Sequence, residues 1–217
     1  MKIKWNGHAS FTITASDGTV LVTDPYDPKG YPGVLMYEQV EDEADGVLVS
    51  HDHADHNFVK GIPGTPKAIR GSGKVKDISI KGVSTYHDES CGSQRGDNTV
   101  FVFAVDGVNI CFAGDLGHRF TAEQIEAIGP VDLLLLPVGG TYTVDAECAA
   151  DIAEALKPGL IIPMHYKTDK CDLPISGVND FLDKMEKVKQ LQKSEIELSR
   201  DQLPAAGTEV WVLEYAC

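Results

Sequence analysis

A chain of 217 residues suits one domain, and its 42% hydrophobic and 24% charged content is that of an ordinary soluble globular protein. Its 33 acidic residues outnumber its 19 lysines and arginines, and the formal net charge of −14 repels a phosphate backbone or an anionic membrane surface. No Lys/Arg cluster is large enough to form a basic groove, and no apolar run approaches the roughly 20 residues that span a bilayer.

The first half reads as strands. Phe11–Thr14, Thr19–Val22, Gly46–Val49, Thr99–Phe103 and Val108–Phe112 are short, rich in β-branched or aromatic residues, and punctuated by Gly or Asp. Between them, Glu41–Asp45 reads as a solvated acidic loop and Asp97-Asn98 as a turn, and Arg95-Gly96-Asp97 is assigned no role. Helices come later. Thr121 with Gln124 forms a capping-box pattern that Gly129-Pro130 closes. A second helix is predicted from Asp145 to just before Pro158, with Cys148, Ile152, Ala155 and Leu156 on one face. A third is predicted over about 178–192, with Leu182, Met185 and Val188 as its apolar stripe. Val131–Leu136 and Leu160–Ile162 read as fully buried strands, and Glu209–Leu213 closes the chain. The pattern is one of sheets covered by helices, without fixing their topology.

Met1–His8 turns polar too soon to hold a signal-peptide core. The five cysteines (Cys91, Cys111, Cys148, Cys171, Cys217) form no C-x-x-C pair and read as free thiols in a reducing cytoplasm. Cys111 and Cys148 sit in apolar contexts and are expected in the core.

Chemistry concentrates in Ser50-His51-Asp52-His53-Ala54-Asp55-His56, just after a predicted strand. Three imidazoles and two carboxylates packed this densely are costly to bury without a compensating cation, and they are the donors shared by zinc, manganese and iron. If the segment is extended, His51, His53 and Asp55 face one way and His56 another, which suits two neighbouring ions. His87, Asp115 and His165 each follow a further strand-like run, where a rigid sheet would hold them.

These residues resemble the metallo-β-lactamase superfamily. His51-x-His53-x-Asp55-His56 matches its H-x-H-x-D-H signature, with the Asp115 and His165 motifs in the expected order. Gly7–Phe11, Thr23-Asp24-Pro25, Gly114–His118 and Pro137–Thr143 look closest to the small stand-alone branch of metal-dependent hydrolases that includes the ascorbate-phosphate lactonases. The resemblance implies a single domain over residues 1–217, an α/β fold of the αββα sandwich type with two mixed sheets flanked by helices. It implies one metal ion on His51, His53 and His87, a second on Asp55, His56 and His165, and Asp115 bridging both. Zinc is the favoured ion, with manganese and iron as alternatives.

The reaction this implies is attack by a metal-activated hydroxide on a small ester, lactone, amide or phosphoester, with Asp55 the catalytic candidate because it can bind metal and also handle a proton. His8, Tyr142 and Lys167 are candidates for binding a small-molecule substrate, and Asp24 and His118 are further residues near the motif ends. Alternative readings are a nuclease-type phosphodiesterase, which would want a basic surface, and a non-hydrolytic diiron or metal-binding protein. Neither nucleic acid nor membrane is an expected partner, and a cytoplasmic location is expected. No G-x-S-x-G elbow, P-loop or G-x-G-x-x-G is present.

Overall fold

The computed structural model describes residues 1–217. Alternating apolar residues build the first sheet from β1 (Lys2–Gly7), β2 (Ser10–Thr14), β3 (Val20–Thr23), β4 (Gly46–Leu48) and β5 (Lys67–Ile69). The second half of the strand set comprises β6 (Gly73–Val75), β7 (Ile78–Tyr86), β8 (Asp97–Val105), β9 (Val108–Phe112), β10 (Leu133–Pro137) and β11 (Leu160–Met164). Three short strands follow: β12 (Val188–Gln190), β13 (Glu195–Glu197) and β14 (Glu209–Val212). They assemble as a six-stranded sheet, β13-β1-β2-β3-β4-β5, and an eight-stranded sheet, β12-β14-β11-β10-β9-β8-β7-β6. Both are mixed: antiparallel pairing on one side of each sheet gives way to parallel pairing on the other.

Ile3, Trp5, Phe11, Ile13, Leu21 and Leu48 of the first sheet share one core with Phe101, Phe103, Phe112 and Leu133–Leu136 of the second. The alternate residues of the first sheet, Val22, Val47 and Val49, face a smaller core closed by Tyr26, Leu35, Tyr37 and Val40 from the long β3–β4 connection. β10 and β11 are buried at every position, as central parallel strands covered on both faces are.

Helix α1 (Ala122–Ile128) carries the expected capping box, with the Thr121 side chain accepting from the Gln124 amide and Gln124 reaching back. Helix α2 (Ala146–Leu156) is capped by Asp145, which accepts from the Cys148 amide at 2.8 Å. Its buried face runs through Cys148, Ala149, Ile152 and Ala153; Ala155, expected inside, points to solvent.

The third predicted helix is where the pattern misleads. Helix α3 covers only Asn179–Leu182, and Val188–Gln190 is the edge strand β12. The chain leaves the helix through i−3 turns at Lys184 and Met185, then pairs in parallel with β14. Without that strand, β14 would be the open edge of the eight-stranded sheet, with its N–H and C=O groups unpaired. Sheet pairing therefore overrides a segment of good helix formers, and Val188 ends exposed rather than in an apolar stripe. All five cysteines are free, and Cys111 and Cys148 are buried as expected. No helix is long and apolar enough to cross a membrane.

β1, β3 and β4 run in one direction in the first sheet, and β7, β9, β10 and β11 share a direction in the second. His8, Asp24, His51, His87, Asp115 and His165 all follow the carboxyl ends of these strands. The sheets are stitched together there: the His165 amide donates to the His8 carbonyl, and the Thr99 amide to the Ser50 carbonyl.

Candidate metal centre

The loop 50–56 is a series of bends and turns, not the extended segment assumed from alternation. Its turns sort the side chains differently from a strand. His51 and His53 join His87, while Asp55 and His56 join His165 and His8. Within each group the candidate ligand atoms lie within 4.8 Å of one another.

Asp115 sits between the groups. Its Oδ2 lies 3.2 Å from His56 Nε2, 3.2 Å from His87 Nε2, 3.3 Å from His165 Nε2 and 3.9 Å from His51 Nε2. One carboxylate oxygen facing four imidazole nitrogens from three parts of the chain is the arrangement a shared ligand needs. Asn98 fixes the Asp115 backbone by accepting from its amide at 3.0 Å while donating to Thr85 and the Ala113 carbonyl. The Asp97-Asn98 pair is therefore the start of β8 and a brace for the site, not a turn. Gly114 adopts φ +56°, where a side chain would also strike Ser50 and Asn98 at 2.5 Å.

Tautomers follow from the supporting bonds. Asp24, fully buried, accepts from the Ser50 amide (2.8 Å), the Ser50 hydroxyl (2.5 Å) and His56 Nδ1 (3.0 Å). The Ser50 hydroxyl has spent its only proton on Asp24, so at 2.8 Å His51 Nδ1 must donate to it. In both rings the Nδ1 proton is thereby held outward and Nε2 faces the site, the orientation that outer partners impose on metal-binding histidines. Asp24, His51 and His56 also cluster as a donor group, but the Asp24 oxygens are already engaged, so it reads as a support for these rings.

His51 Nε2, His56 Nε2 and Asp115 Oδ1 are buried without a hydrogen-bond partner, and unpaired buried polar atoms on clustered side chains call for a ligand. The chemistry of the donors fits a metal: all are imidazole nitrogen or carboxylate oxygen. The site's electrostatics point the same way. Burial would raise the Asp115 carboxyl, but His165 and His56 outweigh it and hold it well below the usual range. Burial likewise opposes ionisation of Asp55, yet His56 and His8 keep it low. His56, despite burial, is driven well above the usual imidazole value by Asp115 and Asp55. His51 is pushed down to about 2 by burial and then by His56. The cluster is an arrangement of carboxylates demanding positive charge.

The substrate-side candidates part ways. Tyr142 lines a cavity of about 310 Å³ together with Tyr31, Leu173, Arg95 and the faces of His53 and Asp55. His8 is buried and does not reach that cavity; its Nε2 donates to Asp55 Oδ2 at 3.2 Å, and its ring packs 4.1 Å from that of His165. Burial lowers its pKa to about 4. Lys167 is turned away, because Asp172 at 2.7 Å and the Leu173 carbonyl take up its ammonium behind the cavity wall. His118 is also outside, accepting from the Tyr86 amide. Four non-glycine residues in left-handed backbone, His8, Asp24, Thr141 and His165, cluster here, as strain does at working sites. Arg95, assigned no role from the sequence, lines the cavity; no local motif signals it.

Gly117 explains part of the Gly-Asp-Leu-Gly pattern. A Cβ there would lie 2.3 Å from both the Asp88 nitrogen and the His87 carbonyl carbon, backbone atoms that cannot yield. Gly117→Ala is expected to lower stability by about 1–3 kcal/mol through this overpacking and to displace His87. Urea unfolding measures it; a wild-type midpoint would show that the loop has room.

Comparison with known proteins gives the class first. The family profile "Beta-lactamase superfamily domain" matches residues 2–165. A Thermotoga maritima protein described as a Zn-dependent hydrolase of the metallo-β-lactamase superfamily superposes with a TM-score of 0.81 at 37% identity, covering 99% of each chain. The UPF0173 metal-dependent hydrolase of Thermococcus onnurineus is 32% identical over 77% of this chain and 85% of its own. That of Carboxydothermus hydrogenoformans is 28% identical over 85% and 92%. The chain belongs to the β-lactamase superfamily and, within it, to this family of metal-dependent hydrolases.

Proposed function

We propose that the site holds two divalent ions and hydrolyses a small ester, lactone, amide or phosphoester. The observation that carries this is the Asp115 carboxylate shared between two histidine-rich groups. His51, His53 and His87 would hold one ion, Asp55, His56 and His165 the other, and Asp115 both. Bound there, the ions would lower the pKa of water and offset negative charge building on the substrate. Zinc is favoured: the donors are all nitrogen and oxygen, and the Thermotoga maritima relative is described as Zn-dependent; manganese and iron suit the same donors.

The chain's own residues supply the rest. Asp55 borders the cavity and is positioned to take a proton from the attacking water, while His8, neutral and donating to Asp55, fixes which oxygen is free. Tyr142, Tyr31 and Leu173 form walls against which a small molecule packs. A cavity of about 310 Å³ suits a metabolite-sized substrate, and a net charge of −14 disfavours nucleic acid.

Purified protein is expected to contain close to two divalent ions per chain and, when loaded, to hydrolyse members of a panel of lactones, esters, thioesters and phosphodiesters. Elemental analysis and the panel test it together. A protein that stays metal-free after loading, or is fully active with one ion, would overturn the dinuclear reading.

A further inference from the structure

Arg95 stands apart from the other arginines of this acidic chain. Of its four arginines, Arg70 pairs with Asp52, Arg119 with Asp151 and Arg200 with Asp132, whereas Arg95 has no carboxylate within 4.0 Å. In a chain with 33 acidic residues, an arginine without a carboxylate partner needs a reason. Its guanidinium carbon lies 5.6 Å from the centre of the Tyr142 ring, and it lines the 310 Å³ cavity beside His53, Asp55 and Asp115. It also borders an adjoining hollow of about 510 Å³.

The loop that presents Arg95 is built to hold it. Asp88 is buried, and its carboxylate accepts four backbone N–H bonds, from Ser90 (2.7 Å), Gly92 (3.0 Å), Gln94 (2.9 Å) and Arg95 itself (2.7 Å). The His87 amide donates to the Gly96 carbonyl, closing the loop on the candidate ligand His87. The backbone of Arg95 is thus tied to the metal centre, and the Tyr142 face narrows the freedom of its side chain. In the adjoining hollow Asp88 and Asp145 already accept backbone N–H bonds; Glu89 and Glu147 on its wall repel an anion that moves deeper.

We infer that Arg95 selects a substrate bearing an oxyanion, a carboxylate or a phosphate, beside the bond to be broken. This rests on the proposed dinuclear hydrolase. Two divalent ions with only Asp55 and Asp115 as anionic ligands leave the cavity with surplus positive charge, and Arg95 adds to it. A cation placed there is unfavourable until an anion arrives. The planar guanidinium can then grip two oxygens at once while stacked on Tyr142, a geometry lysine cannot copy.

The test is equilibrium binding to the metal-loaded full chain, using succinate, 3-phosphonopropionate and their neutral-ended counterpart succinamate. Glutarate and glutaramate repeat the comparison with one more methylene. Every probe keeps one carboxylate for the metals, and only the far group changes. The wild type is expected to prefer the doubly anionic probe by about tenfold to a hundredfold in at least one length, as for a charge-assisted hydrogen bond. Arg95→Gln should reduce that preference below twofold without changing metal content or the thermal midpoint, and Arg95→Lys should recover only part. The larger gain, with carboxylate or phosphonate, tells which oxyanion the site takes. No preference in the wild type, or one that survives Arg95→Gln, would overturn the inference. Succinamate binding with and without metal reports on the dinuclear reading separately: if it does not depend on metal, that reading fails while the Arg95 comparison still stands.

Discussion

Asp115→Ala is expected to empty the site of both ions and abolish hydrolysis, with the fold retained. Its Oδ2 is within 3.3 Å of three imidazole Nε2 atoms and 3.9 Å from a fourth, and no other carboxylate occupies that central place. Two cations a few ångströms apart repel strongly, and an anion between them is what makes the pair affordable. Asp24 cannot substitute, since its oxygens are held by Ser50 and His56. Elemental analysis after gentle purification and after reloading, with circular dichroism as the fold control, decides it. A variant that keeps two ions would remove Asp115 from the bridging position.

Asp55→Asn is expected to behave differently: it should keep much of its metal while kcat falls by about 10²–10⁴, the loss typical of removing a proton-transfer group. The ion beside it would retain His56 and His165, and the amide preserves both shape and a ligating oxygen. What disappears is the charge that accepts a proton and receives the His8 Nε2 hydrogen bond. Metal analysis beside kinetics separates the outcomes. Metal loss equal to that of Asp115→Ala would make Asp55 a structural ligand, and near-normal turnover would take it out of the mechanism.

Much of this was legible in the amino-acid order because the informative signals are local. Six residues from His51 to His56 hold a density of imidazole and carboxylate that burial without a cation would penalise. His87, Asp115 and His165 each follow a short apolar run that reads as a strand, alternating in β7 before His87 and buried throughout in β11 before His165. The capping box at Thr121 and the Asp145 cap are likewise set within four residues.

What only the tertiary structure decided depends on contacts between distant segments. Alternation grouped His51, His53 and Asp55; the turns of loop 50–56, pinned by Asp24 and the Ser50–Thr99 bond, instead send Asp55 to His8 and His165. A helical stripe over 178–192 lost to the open edge of β14, because pairing an exposed strand outweighed local propensity. Lys167 followed a motif yet spends its charge on Asp172, and Arg95 followed none yet enters the cavity through a loop folded around Asp88. The sequence by itself determined which donors are present and that strands would carry them. Which donors meet was decided by two sheets bringing the carboxyl ends of seven strands to one edge, a relation no local pattern encodes.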